Sequence, residues 1–79
     1  MIAERLGILA QILGMGRDGA EESDIMKSLN LTRKDLGTYL KVIKKLGLGV
    51  VENNHYKTND RGIEYLEEHR KWEEELKKY

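Results

Sequence analysis

Lys34, Thr38, Lys41 and Lys45 are the residues of this chain whose types and spacing most directly suggest chemistry. At about 100° per residue they fall on one line of a helix, and three ammonium groups with a hydroxyl among them suit a polyanion. The cations would neutralise phosphates, and lysine and threonine can also reach the polar edges of bases. Arg33, Lys44 and Lys45 widen the cationic surface at its margins. Lysines on the outward side of a helix are ordinarily a solvated surface, so the spacing alone does not decide between the two readings.

The distribution of charge favours the polyanion. The chain has 14 Lys plus Arg and 14 Asp plus Glu, a formal net charge of zero. Residues 27–45 nevertheless hold six basic side chains against the single acid Asp35, whereas residues 1–24 hold two against five and residues 60–79 five against seven. A neutral total thus conceals a segregated field whose positive part lies on one segment.

Other chemistry has less to work with. The two histidines, His55 and His69, fall on a predicted hairpin and a predicted helix seam, far apart in sequence, so no acid–base pair or metal cluster can be assembled from them. The acidic run Glu73-Glu74-Glu75 reads as the solvated side of a helix rather than a divalent-cation site. Gly14-Met15-Gly16-Arg17-Asp18-Gly19 spells GxGxxG, but the dinucleotide fingerprint follows a strand within a βαβ unit. Here a helix precedes it, and 79 residues are too few for that fold, which leaves a flexible turn. No catalytic residue, cofactor, metal or small-molecule ligand is expected. With no cysteine, neither a disulfide framework nor a thiolate metal site is available. Nothing resembles a signal peptide or a membrane span, so the expectation is a soluble, intracellular, cytoplasmic protein.

The elements that must position these residues follow from periodicity. A chain without proline and rich in Leu, Ile, Glu and Lys is mainly helical, and at this length forms one domain with a marginal core. Ile2, Leu6, Leu9 and Leu13, widened by Ile8 and Ile12, predict a first helix over 2–13 that packs rather than binds. A short second helix from Glu21 or Glu22 to Leu29 places Ile25 and Leu29 inward, with acids in its first turn where the helix dipole favours them. Asn30 and Leu31 make a tight connection. The third helix, Thr32 to Leu46, buries Leu36, Leu40 and Ile43 opposite the lysine line; Thr32 and Asp35 mark its start as a capping box and Gly47 its end. Two short helices about a tight turn form a helix-turn-helix pattern.

Leu48–Glu52 and His55–Thr58, joined at Asn53-Asn54, then predict a β-hairpin, the wing of a winged helix. Asn53, Asn54, His55 and Lys57 would lie against a phosphate backbone or a minor groove, or form no more than a plain hairpin loop. Asn59 is a good cap for a last helix running from Asp60 to about Tyr79. Within it Ile63 and Leu66 continue the core, while Tyr65, His69, Trp72, Leu76 and Tyr79 recur at steps of four and three residues, a heptad seam suited to a partner helix. The expected organisation is a winged helix-turn-helix domain over residues 1–62 and a coiled-coil dimerisation segment over residues 63–79.

The run SDIMKSLNLTRKDLGTYLKVIKKLGL, the segment HYKTNDRGIEYLEEH and the trailing seam resemble archaeal winged-helix proteins whose C-terminal helices pair as an antiparallel coiled coil, a group of small chromatin-associated proteins and crenarchaeal viral regulators. Tyr56, Asn59, Arg61 and Gly62 match a tyrosine, cap, basic and glycine pattern found in many winged helices. The resemblance implies a homodimer that binds double-stranded DNA with the third helix in the major groove and the wing alongside. The chain departs from that group at Thr58, where an apolar residue is usual, and in its zero net charge, which favours a site-selective transcriptional regulator over a sequence-tolerant chromatin protein. A protein-docking module that uses the 65–79 seam and keeps its lysines for solubility is the remaining alternative.

Overall fold

The computed structural model describes residues 2–77. Helix α1 (Ile2–Met15) is followed by strand β1 (Ala20–Glu21), helices α2 (Glu22–Leu29) and α3 (Arg33–Lys45), strands β2 (Gly49–Glu52) and β3 (His55–Thr58), and helix α4 (Asp60–Lys77). The strands form one antiparallel sheet in the order β1-β3-β2. The mainly helical winged helix-turn-helix architecture expected from the sequence is therefore present, with three differences. The chain adds a short strand, β1, that pairs Ala20 with Tyr56 and Glu21 with His55. Two residues, Ala20 and Glu21, offer no alternation to detect, and they are strand only because the hairpin presents an open edge to them. Helix α1 runs on through Gly14 to Met15, and Leu48 lies in the bend between α3 and β2 rather than in the strand.

Local chemistry explains the boundaries. At the start of α3 the Thr32 hydroxyl accepts from the Asp35 N–H at 3.1 Å and the Asp35 carboxylate accepts from the Thr32 N–H at 3.4 Å, the reciprocal capping box. At its end the Gly47 N–H donates to the Lys44 carbonyl at 3.1 Å and the Leu48 N–H to the Ile43 carbonyl at 2.9 Å, with Gly47 at φ 70°. This Schellman geometry tucks Leu48 under Ile43, both buried. The turn between α2 and α3 passes through Asn30 at φ 54°, a left-handed conformation that asparagine tolerates. The half-buried Leu31 packs against the core at this corner. At the start of α4, Asn59 accepts the Gly62 N–H through Oδ1 and donates from Nδ2 to the Gly47 carbonyl, both at 2.9 Å, which ties that helix to the end of α3.

The core comprises Leu9, Ile12 and Leu13 of α1, Ile25 of α2, Leu36, Leu40 and Ile43 of α3, Leu48, Tyr56 of β3 and Leu66 of α4. Leu9, Ile12, Leu13, Ile25, Leu36, Leu40, Ile43 and Leu66, assigned inward by sequence, meet in this core, with Ile8 and Leu29 packed against it. Ile63, expected to continue the core, is half-buried outside it, and the side chains of Ile2 and Leu6 lie outside the described ones.

Tyr56 and Thr58 form the polar part of this core. Thr58 is 2% exposed, and its hydroxyl donates to the Leu13 carbonyl at 2.8 Å. A hydroxyl has one hydrogen, so the 2.6 Å contact between Tyr56 Oη and Thr58 Oγ1 must have the phenol as donor. Burial pushes the Tyr56 hydroxyl above the ordinary phenol range, a shift that its hydrogen bond to Thr58 opposes. The polar residue at position 58 is therefore a satisfied core position, occupied by a network that links α1, β3 and the wing. Gly16 completes it. Its carbonyl accepts the Thr58 N–H at 2.8 Å, and a Cβ at Gly16 would overlap the Tyr56 ring and the Thr58 hydroxyl. In the GxGxxG run the middle glycine is thus fixed under an aromatic ring, so the segment is more constrained than a flexible turn.

Replacing Thr58 by valine keeps the shape but strands the Tyr56 hydroxyl, at a cost of about 1–3 kcal/mol. Thermal unfolding of Thr58→Val should show Tm lowered by roughly 5–15 °C. A Tm equal to that of the parent would mean the network contributes nothing to stability.

Candidate nucleic-acid interface

Helix α3 buries Leu36, Leu40 and Ile43 and leaves Lys34, Thr38, Lys41 and Lys45 on its outward line, all exposed, with Arg33 and Lys44 exposed beside them. The structure therefore assembles the predicted cationic face on one helix, held by caps at both ends. Gly37 lies within this surface, and a Cβ there would meet no atom within 4 Å. The Thr38 hydroxyl donates to the Lys34 carbonyl at 3.1 Å. As placed, Thr38 offers a ligand an acceptor oxygen and a methyl group but no free proton.

The sheet lies beside this face. Asn53 and Asn54, at φ 51° and 63°, form the two-residue turn between β2 and β3, since positive φ at both central positions is what a type I′ hairpin requires. Along β3 the side chains alternate, His55 and Lys57 outward and exposed, Tyr56 and Thr58 buried. Lys57 is free to reach a phosphate. His55 is engaged within the protein, with its Nδ1 3.2 Å from the Glu21 carboxylate on one side and Glu52 paired with it across β2 on the other. The wing thus carries carboxylates among its cations, a feature that the hairpin sequence alone does not disclose because Glu21 arrives from β1.

Between α3 and the sheet runs a shallow groove lined by Glu22, Lys34, Gly37, Thr38, Leu40, Lys41, Lys44 and Val51. Lys34, Thr38, Lys41 and Lys44 are brought together here, whereas Arg33 and Lys45 lie outside the groove. Glu22 escaped the sequence reading as a site residue. Its sequence position marks only the favourable first turn of α2, and it shares the groove with the α3 lysines because its backbone is tied to the wing turn at Asn54.

On α4, Tyr65 is half-buried and packs against the core, and His69 is half-buried. Trp72 and Leu76 are 71% and 73% exposed. Tyr79, the last member of the predicted seam, lies outside the described residues. Among the described residues no group of three or more His, Cys, Asp or Glu side chains could hold a metal ion, and no helix is long and apolar enough to cross a membrane.

No curated protein matches the sequence. A family model for the winged helix-turn-helix matches residues 4–77, from the first helix through the last. With the capped helix pair, the three-stranded wing and a match over nearly its whole length, the chain belongs to the winged helix-turn-helix family.

Proposed function

We propose that the protein is a non-enzymatic, double-stranded DNA-binding transcriptional regulator that presents α3 to the major groove. The observation that carries this reading is the outward face of α3, where Lys34, Lys41 and Lys45 align around Thr38 on a helix whose opposite face is fully used by the core. An α-helix fits the major groove, and the cationic side chains of this one are exposed. Lys34, Thr38 and Lys41 face base edges, while Arg33, Lys44 and Lys45 hold phosphates at the groove margins. Asn53, Asn54 and Lys57 position the wing along the backbone, and His55 contributes through its contact with Glu21 and less through phosphate. The zero net charge supports site-selective binding over sequence-blind coating, because non-specific affinity comes almost entirely from phosphate neutralisation.

The protein acts as a homodimer through α4, in the antiparallel manner of the archaeal winged-helix group that its sequence resembles. The support is the strip of Tyr65, His69, Trp72 and Leu76, whose distal members leave an indole and an isobutyl group in water. Burying side chains of this size contributes about 1.5–3 kcal/mol each, a large increment for a core this small. A dimer also presents two α3 helices, so the second DNA contact becomes intramolecular. The same exposed strip is the observation that would favour a protein-docking module, in which the partner is a different chain.

Two measurements check these readings. Lys34→Ala with Lys41→Ala should weaken retention on duplex DNA about tenfold or more at moderate salt, with unchanged thermal unfolding, and should flatten a log–log salt dependence whose slope is about 0.9 per phosphate neutralised. Equal binding by parent and double variant at every salt concentration would reduce the lysine line to a solvated face. Sedimentation of the parent at micromolar concentration should give a dimer, and Trp72→Lys with Leu76→Lys a folded monomer with strongly reduced DNA affinity. A parent that sediments as a monomer would assign the strip to another partner.

A further inference from the structure

We infer that Glu22 is a specificity-determining residue of the DNA interface, acting as a carboxylate gate inside an otherwise cationic groove. The inference rests on the DNA-binding reading above and adds a residue that opposes binding. Glu22 lines the groove together with Lys34, Lys41 and Lys44. It is half-buried, and its backbone N–H donates to the Asn54 carbonyl at 2.9 Å, so its position is set by the wing turn as well as by the start of α2. Among the described residues no ion pair joins its carboxylate to a lysine.

A carboxylate so placed has two encounters available when duplex DNA enters the groove. Against a phosphate it meets like charge, and like-charge juxtaposition is one of the ways an interface rejects wrong partners. Against a base edge it can only accept, and the donors that the major groove exposes are the exocyclic amines of cytosine and adenine, of which cytosine N4 is the usual partner of Glu. Glu22 therefore weakens binding to duplexes in general and spares those that place such an amine opposite it. The lysines supply attraction that every sequence shares, and Glu22 supplies a penalty that only some sequences escape.

The test uses the full chain and two probes: a pool of random-sequence duplexes about two helical turns long, and the duplex that the parent enriches from that pool. Glu22→Gln should bind the random pool roughly tenfold more tightly than the parent, and the preference for the enriched duplex over the pool should fall by a similar factor. Asp24→Asn is the control for charge alone, since Asp24 is exposed in the same helical turn and does not line the groove. It should change both quantities by less than about twofold. Thermal unfolding of each variant establishes that it is folded. If Glu22→Gln leaves the preference unchanged while the Lys34 and Lys41 variant still loses affinity, the gate is refuted and the DNA-binding reading stands. An equal effect from Asp24→Asn would show that net charge, and not position, is responsible, which also refutes it. A parent that fails to bind either probe would overturn the DNA-binding reading and the gate with it.

Discussion

The hydrogen bond from Thr58 to the carbonyl of Leu13 is the contact on which the arrangement of the interface depends. It fixes the returning strand of the wing to the end of the first helix, and the Tyr56 phenol closes over it from the same strand. Because Tyr56 also pairs with Ala20 on one side and Val51 on the other, holding this strand holds the whole sheet. A purely apolar packing of position 58 could bury as much area but would not dictate which carbonyl the strand must meet. A buried polar network that is fully satisfied specifies one arrangement, and here every buried side-chain polar atom among the described residues has a partner.

From that fixed sheet the geometry of the proposed binding face follows. Strand β1 brings Glu21 to His55, and the adjoining Glu22 N–H reaches the Asn54 carbonyl, so α2 begins at a point set by the wing. Helix α3 leaves α2 after three residues and is joined to α4 through Asn59 and the Gly47 carbonyl. The lysine line is consequently mounted on a helix constrained at both ends, which is the arrangement that recognition of base edges demands, since such contacts lose their discrimination when their support is loose.

Much of this was legible because it is local. The capping box of Thr32 and Asp35, the glycine stop at Gly47, the Asn53-Asn54 turn and the cap at Asn59 each occupy a few consecutive residues, and the core faces of α1 and α3 announce themselves through the helical period. What stayed hidden depends on contacts between residues distant in sequence. The two-residue strand β1 exists only where an edge of β3 awaits it. The burial of Thr58 depends on a carbonyl 45 residues earlier, and the confinement of Gly16 on a ring 40 residues later. For the same reason the lysines of the candidate site can be named from periodicity, whereas Glu22 shares their groove through contacts between elements that no local pattern encodes. On α4, the spacing distinguishes the strip but not its occupant: Tyr65 is partly spent on the core, and Trp72 and Leu76 project beyond it.

The central claim is that α3 is the surface on which DNA lies. Amide chemical shifts of the isotope-labelled protein, followed during titration with duplex DNA, test it most directly, since they report contact residue by residue. The largest changes are expected at Lys34, Gly37, Thr38 and Lys41, smaller ones at Asn53, Asn54 and Lys57, and little along the outward side of α1. Changes confined to the distal half of α4, or none at all at low salt, would contradict it.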